Sequence, residues 1–193
     1  MALDKQWRIH DCISNTIWRL FLQIKTNTDW RAGAEPTCRF FAWTLLHKKI
    51  LTANNLAKRN WTHDPIFKLC RVDSETLTHL CKDCTFLKQV WSYLKQWLNL
   101  AVLDWVGMNG SLHSYWLKCR AKFERRQRKW IDGIMIYFWW NVWKERNRRT
   151  FQQKSLQPRQ VTLLSKMIFN SSSQQQDPSL LGSSFCFCVV FGS

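Results

Sequence analysis

The chain has 193 residues, 46% of them apolar and 15% aromatic, a composition long and greasy enough for one sizeable core and incompatible with a disordered chain. Six Gly and four Pro leave few tight turns, which favours long helices over a sandwich or barrel. The formal charge is +16, and a folded monomer gains nothing from that self-repulsion, so polyanions are the implied partners, nucleic acid ahead of an anionic membrane surface.

Residues 1–12 form a polar lead, Met1-Ala-Leu-Asp-Lys-Gln-Trp-Arg8 at its start, with no apolar signal core. The eight cysteines therefore read as reduced thiols of a nuclear or cytoplasmic protein that is not secreted, rather than as a disulfide framework. Ile17, Leu20, Phe21 and Ile24 have helical spacing and predict a helix over Ile13 to Ile24. Pro36 suits the first turn of a second helix, whose apolar residues run from Cys38 through Phe40, Phe41, Ala42 and Trp43 to Leu45 and Leu46. Apolar nearly all round, this helix is expected to be central. Thr52 is placed to cap a short helix through Asn54, Leu56 and Ala57.

Thr85 to Leu98 is the clearest amphipathic helix. Phe86, Val90, Leu94 and Trp97 make its stripe, and Leu87, Trp91 and Leu98 widen it. A Gly-Met-Asn-Gly turn at Gly107 to Gly110 precedes a basic helix from about Ser111, which leads into a tryptophan-rich one. The greasiest run, Trp130 to Trp143, is shorter than the roughly 20 residues of a bilayer span and contains Asp132 and Asn141, so a buried helix and no membrane insertion are expected. From Asn170 the chain turns to low-complexity polar sequence, then to the apolar, β-prone end Phe185-Cys-Phe-Cys-Val-Val-Phe191. Residues 170–193 are expected to be disordered, and the apolar end to be an aggregation hazard where exposed.

Between the short and the amphipathic helices, Cys70, His79, Cys81 and Cys84 crowd one polar stretch. Zinc takes thiolate and imidazole ligands in a closed tetrahedron, and Arg71 to Thr78 has no apolar period to fix it by burial. Cys70, however, stands alone, and His79 and Cys81 are only two apart. Spacing by itself leaves a zinc site and unrelated buried thiols both standing. A thioredoxin-like redox pair needs a βαβ setting that the sequence does not provide.

The runs Cys38-Arg-Phe-Phe-Ala-Trp-Thr-Leu-Leu-His47, Leu51-Thr-Ala-Asn-Asn-Leu-Ala-Lys-Arg-Asn-Trp61 and Glu75-Thr-Leu-Thr-His-Leu-Cys-Lys-Asp-Cys-Thr-Phe-Leu-Lys-Gln-Val-Trp91 resemble the reverse transcriptase zinc-binding domain of plant LINE-type non-LTR retrotransposons. Trp139-Trp-Asn-Val-Trp-Lys-Glu-Arg-Asn-Arg-Arg-Thr-Phe151 resembles the helix that commonly follows that domain. The family pattern has a Cys-x-x-Cys knuckle, a Glu-Thr-x-x-His-Leu stretch and a final Cys before an aromatic. The resemblance implies zinc as cofactor, with Cys70 as the second knuckle cysteine, His79 as the histidine and Cys84 as the last cysteine. The first knuckle position falls on Phe67, which cannot coordinate. The inherited site is then open at one corner, with Cys81 as the stand-in and His63 a more remote one. The implied architecture is mainly α, a small helical bundle with an irregular zinc-knuckle-like loop between helices. Its parts would be a zinc-binding-like domain over 13–110 and a basic, Trp-rich helical extension over 111–169.

From Lys118 to Arg149 there are eleven Lys or Arg against three acids. Arg120, Lys122, Arg125, Arg126, Arg128 and Lys129 crowd one segment, and Lys144, Arg146, Arg148 and Arg149 a helix end. Such clusters track phosphates, although a solvated helix face has the same composition, and cations at a helix C-terminus also satisfy its dipole. Most tryptophans have core spacing. Trp61, Trp105 and Trp116 stand at segment ends, where stacking on bases is the alternative to packing. Polymerase chemistry needs paired carboxylates holding magnesium, and the chain has no Asp-Asp. The expectation is a non-enzymatic, zinc-dependent binder of RNA or DNA. A protein-interaction module for a reverse transcriptase acting in trans, or a transposon relic without a cellular role, are the alternatives.

Overall fold

A computed structural model describes residues 34–61, 64–99 and 110–176. The expected helix over Ile13 to Ile24, Trp105, His63 and the tail beyond Gln176 lie outside the described residues. The molecule is mainly α, as its composition implies. Its helices are α1 (Pro36–Leu46), α2 (Ala53–Ala57), α3 (Thr85–Leu98), α4 (Leu112–Ala121), α5 (Arg125–Asn147) and α6 (Pro158–Gln176), with π-helical turns at His79–Asp83 and Arg148–Gln152. Among the described residues, the extended pairing is a single antiparallel bridge between Ile66 and Ser74.

Local chemistry sets the boundaries. Pro36 occupies the first turn of α1, Thr52 Oγ1 accepts from the Asn55 amide to cap α2, and Ser111 Oγ accepts from the Ser114 amide to cap α4. Asn99 ends α3 in the left-handed region at φ 51°. Glu124 and Gln127 form a reciprocal capping box at the start of α5.

α5 is the axis of the bundle, packed by α1, α4 and α6, while α6 also lies along α3. Its middle is buried on every side, from Ile131 through Tyr137, Phe138 and Trp139 to Val142 and Trp143. The two polar interruptions of this run both find internal partners, although Asn141 Oδ1 is left without one. Asp132 accepts from Trp116 Nε1 and pairs with Arg120 at 3.2 Å. Asn141 Nδ2 donates to the Tyr137 carbonyl at 2.8 Å and to Ser165 Oγ at 3.2 Å. Ring contacts bind α5 to its neighbours, with Trp91 on Phe138 at 4.9 Å and Phe41 edge-on to Trp140 at 5.2 Å.

Of the tryptophans at segment ends, Trp116 takes the packing alternative: it is buried, its indole committed to Asp132 and packed 5.2 Å from Trp139. Asn170 to Gln176, the start of the expected disordered tail, continues α6. Phe169 seats this end of α6 on the bundle, against Trp97, Trp130 and Tyr137.

Candidate metal centre

The loop before α3 is built by its backbone. The Glu75 amide donates to the Pro65 carbonyl at 3.0 Å, Phe67 to Asp73 at 2.8 Å, and Arg71 to Phe67 at 2.8 Å. Arg71 stands at φ 58°, a region few non-Gly residues enter, and this turns the chain back directly after Cys70. The turn is thus a knuckle with Phe67 in its first position and Cys70 in its fourth.

Glu75-Thr-Leu-Thr-His-Leu can be read residue by residue. Thr76 Oγ1 accepts from the His79 amide at 3.1 Å and caps the next turn. That turn closes one residue wider than an α-helix, through the Cys84 amide on the His79 carbonyl at 3.0 Å. An i→i+5 closure puts residues five apart on one side, and so brings His79 and Cys84 together. Cys84 then stands at the N-cap of α3, where the Leu87 and Phe86 amides lie close to its thiol.

Cys70 Sγ lies 3.2 Å from His79 Nε2, and the ligand atoms of Cys70, His79 and Cys84 are all within 4.8 Å of one another. The other ring nitrogen, His79 Nδ1, faces Asp73 Oδ2 at 3.7 Å. One nitrogen toward thiols and one toward a carboxylate is the arrangement that orients a metal-binding imidazole. His79 and Cys84 are buried, and Cys70 is half-buried. Burial pushes the Cys84 thiol up to about 11; the Leu87 amide opposes this, nearby Cys70 adds to it, and the Phe86 amide opposes it again. A thiol so placed keeps its proton in neutral solution until a metal cation displaces it.

A tetrahedral zinc ion, with bonds of about 2.3 Å to sulfur and 2.0–2.1 Å to nitrogen, separates its ligands by roughly 3.5–3.8 Å. Three soft donors within 4.8 Å suit three corners of that figure. Phe67 takes the place of a fourth ligand: it is wholly buried, its ring 5.3 Å from the His79 ring and nearly perpendicular to it, at 86°.

Cys81, expected as the stand-in ligand, is not part of the cluster. Two residues from His79 in the π-helical turn, it lies on the other side, 1% exposed, with its carbonyl accepting from Trp139 Nε1 at 3.4 Å. Burial raises its thiol pKa strongly, as expected of a core residue.

The basic residues divide. Lys122, Arg125 and Lys129 are exposed where α4 meets α5, and Arg126 follows Arg125 in the first turn of α5. Arg120 pairs with Asp132, and Arg128 Nε donates to the Phe123 carbonyl at 3.2 Å. At the far end, Lys144 lies over the Trp140 ring at 5.7 Å, and burial lowers its pKa. Arg146 is 5% exposed and bidentate on Glu75, with both contacts at 2.9 Å. Arg148 and Arg149 hold the buried Glu145 carboxylate, and Arg149 Nη1 also donates to the Leu69 carbonyl at 3.0 Å. Arg146, Arg148 and Arg149, expected to face phosphates, thus all have internal carboxylate partners. Sequence reasoning missed these roles: Glu75 stood out only as the first residue of the Glu-Thr-x-x-His-Leu stretch, and Glu145 only as an acid in a basic chain.

Residues 9–91 match the family model described as zinc-binding in reverse transcriptase. The matched segment contains Phe67, Cys70, His79 and Cys84 and ends inside α3. The match supports a reverse transcriptase zinc-binding domain in this part of the chain, and a zinc-type donor set lies within it. No curated protein and no solved structure matches the chain.

Proposed function

We propose that the chain is a non-catalytic, retrotransposon-derived binder of RNA or DNA, of the plant LINE type that its motifs resemble, with a structural zinc site held by Cys70, His79 and Cys84. The observation that carries this reading is the meeting of those three side chains, donor atoms within 4.8 Å, inside the segment matched to a reverse transcriptase zinc-binding domain. Bound zinc would cross-link the knuckle to the start of α3.

Nucleic-acid binding is supported by the charge of +16 and by the first turn of α5. Arg125, Arg126, Arg128 and Lys129 crowd the start of α5, four cations against the single acid Glu124 at its N-cap, which leaves net positive charge at the positive end of the helix dipole. A phosphate there offsets that repulsion and meets both the dipole and the side chains. Unfavourable local charge of this kind belongs to a binding surface more readily than to a stabilising one. Nuclear or cytoplasmic localisation fits reduced thiols at a metal site. No helix of the described residues is long and apolar enough to cross a membrane.

Docking on a reverse transcriptase in trans is the second reading, favoured by Leu163 and Met167, one helical turn apart on α6 and 55% and 65% exposed. Titrating labelled single-stranded RNA and duplex DNA across a salt series separates the two. Binding with a steep negative salt slope supports the first reading; no binding near physiological salt contradicts it and leaves protein docking.

A further inference from the structure

Three separate pieces of backbone carry the metal ligands, and each is touched by Arg146, at the end of α5, or by Arg149, in the π-helical turn that continues it. Arg146 grips Glu75, which opens the turn leading to His79, through two buried contacts of 2.9 Å. Arg149 donates to the carbonyl of Leu69, the neighbour of Cys70, at 3.0 Å. Its guanidinium also lies 4.5 Å from the ring centre of Phe86, two residues past Cys84. Arg149 is itself fixed by Glu145, wholly buried, whose Oε1 accepts from Arg149 Nε and from the Leu156 amide, both at 2.8 Å.

We infer that Arg146 and Arg149, outside the matched residues 9–91, are positioning residues of the metal centre, so that the site is completed by the end of α5. The Arg71–Thr78 loop has few apolar side chains to hold it, so its order depends on these polar ties and on the metal. A loop already held by Arg146 and Arg149 brings Cys70 and His79 to Cys84 before the ion arrives. Without those ties, ordering the loop is charged against metal binding, and outer-shell partners of this kind change metal affinity by about 10–100-fold. For affinity, this rests on the reading of Cys70, His79 and Cys84 as a zinc site. For loop order, it rests on the contacts alone.

The test uses the full chain as wild type, Arg149→Lys, Arg146→Gln and the exposed control Lys154→Gln. Zinc(II) affinity is measured by competition with a chromophoric chelator, and amide hydrogen exchange is followed in metal-free protein. In both arginine variants zinc should bind at least about tenfold more weakly. The Phe67, Arg71 and Cys84 amides should exchange about tenfold faster, while those of Val90 to Leu94 keep their rates. Lys154→Gln should match wild type in both. If Arg146→Gln fails to fold, Arg149→Lys, which keeps the charge but loses the fork, carries the test. Equal affinity in a zinc-binding wild type and Arg149→Lys overturns the inference, and so does acceleration spread evenly into α3. A wild type that takes up no zinc contradicts the zinc reading instead, and loop exchange alone then decides the positioning role.

Discussion

The two ends of α5 carry similar clusters of basic residues and use them in opposite ways. At its start, Arg125 and Lys129 are exposed, against the sense of the helix dipole. At its end, Arg146 and Arg149 turn inward to Glu75, Glu145 and the Leu69 carbonyl, where cations and dipole agree. Charge counted along a sequence therefore measures attraction for polyanions only after the internal partners have been subtracted. Here the subtraction removes most of one cluster and leaves the N-terminal turn of α5 as the better phosphate surface.

The contrast breaks most easily at the buried end. Glu145→Ala strands Arg148 and Arg149 without their carboxylate and should destabilise the protein by about 3–5 kcal/mol in chemical denaturation, whereas Arg125→Ala should change stability by about 0.5 kcal/mol or less. A Glu145→Ala loss as small as that of Arg125→Ala would make the inner cluster a surface like the other.

Phe67→Cys tests whether the loop served by Arg149 is a metal knuckle. Removing a wholly buried ring should cost the metal-free protein up to about 3–5 kcal/mol, while a fourth thiolate should tighten zinc by at least about tenfold. The expected signature is a lower melting temperature without zinc and a larger rise on adding it. A lower melting temperature with no gain from zinc would leave Phe67 as core and the cluster as thiols.

Alkaline pH separates buried thiols from buried arginines, which stay charged throughout. Burial, reinforced by Glu35, raises the Cys38 thiol from an ordinary 9.0 to about 12, and burial raises Cys81 as well. The folded state thus favours the neutral thiol. Its contribution is complete below pH 9 and is lost as pH climbs from 9 towards 12, by up to about 1 kcal/mol per unit for each thiol. Denaturation midpoints of metal-free protein should fall over that range; a flat profile would mean that water reaches these thiols.

The smallest energetic effect belongs to the exposed end. Arg125→Gln and Lys129→Gln should each lower the salt slope of nucleic-acid binding by about one unit, with stability almost unchanged, and Arg148→Gln should alter stability but not the slope. A slope that follows Arg148 instead would reverse the assignment of the two ends.

Periodicity exposed the helices because α3 keeps Phe86, Val90, Leu94 and Trp97 at helical spacing between definite ends. The Pro36, Thr52 and Ser111 starts were equally readable, since each needs only a local residue to satisfy or forgo an amide. The clustering of Cys70, His79 and Cys84 was legible through motif resemblance. Cys81 was misread because a π-helical turn changes which neighbours share a side, and nothing in Leu80-Cys-Lys-Asp-Cys84 announces that extra residue. The fate of Arg146 and Arg149 was illegible for another reason: their partners lie 71 and 80 residues upstream, and only the fold brings them within hydrogen-bonding distance.

The central claim is that Cys70, His79 and Cys84 form one zinc site, and metal content reads it most directly. The 193-residue chain purified without chelators should carry one zinc ion, and Cys70→Ser and Cys84→Ser should each lose it together with part of the thermal stability. Wild type without zinc, and a Cys70→Ser variant that melts where wild type melts, would contradict the account and reduce the cluster to buried thiols.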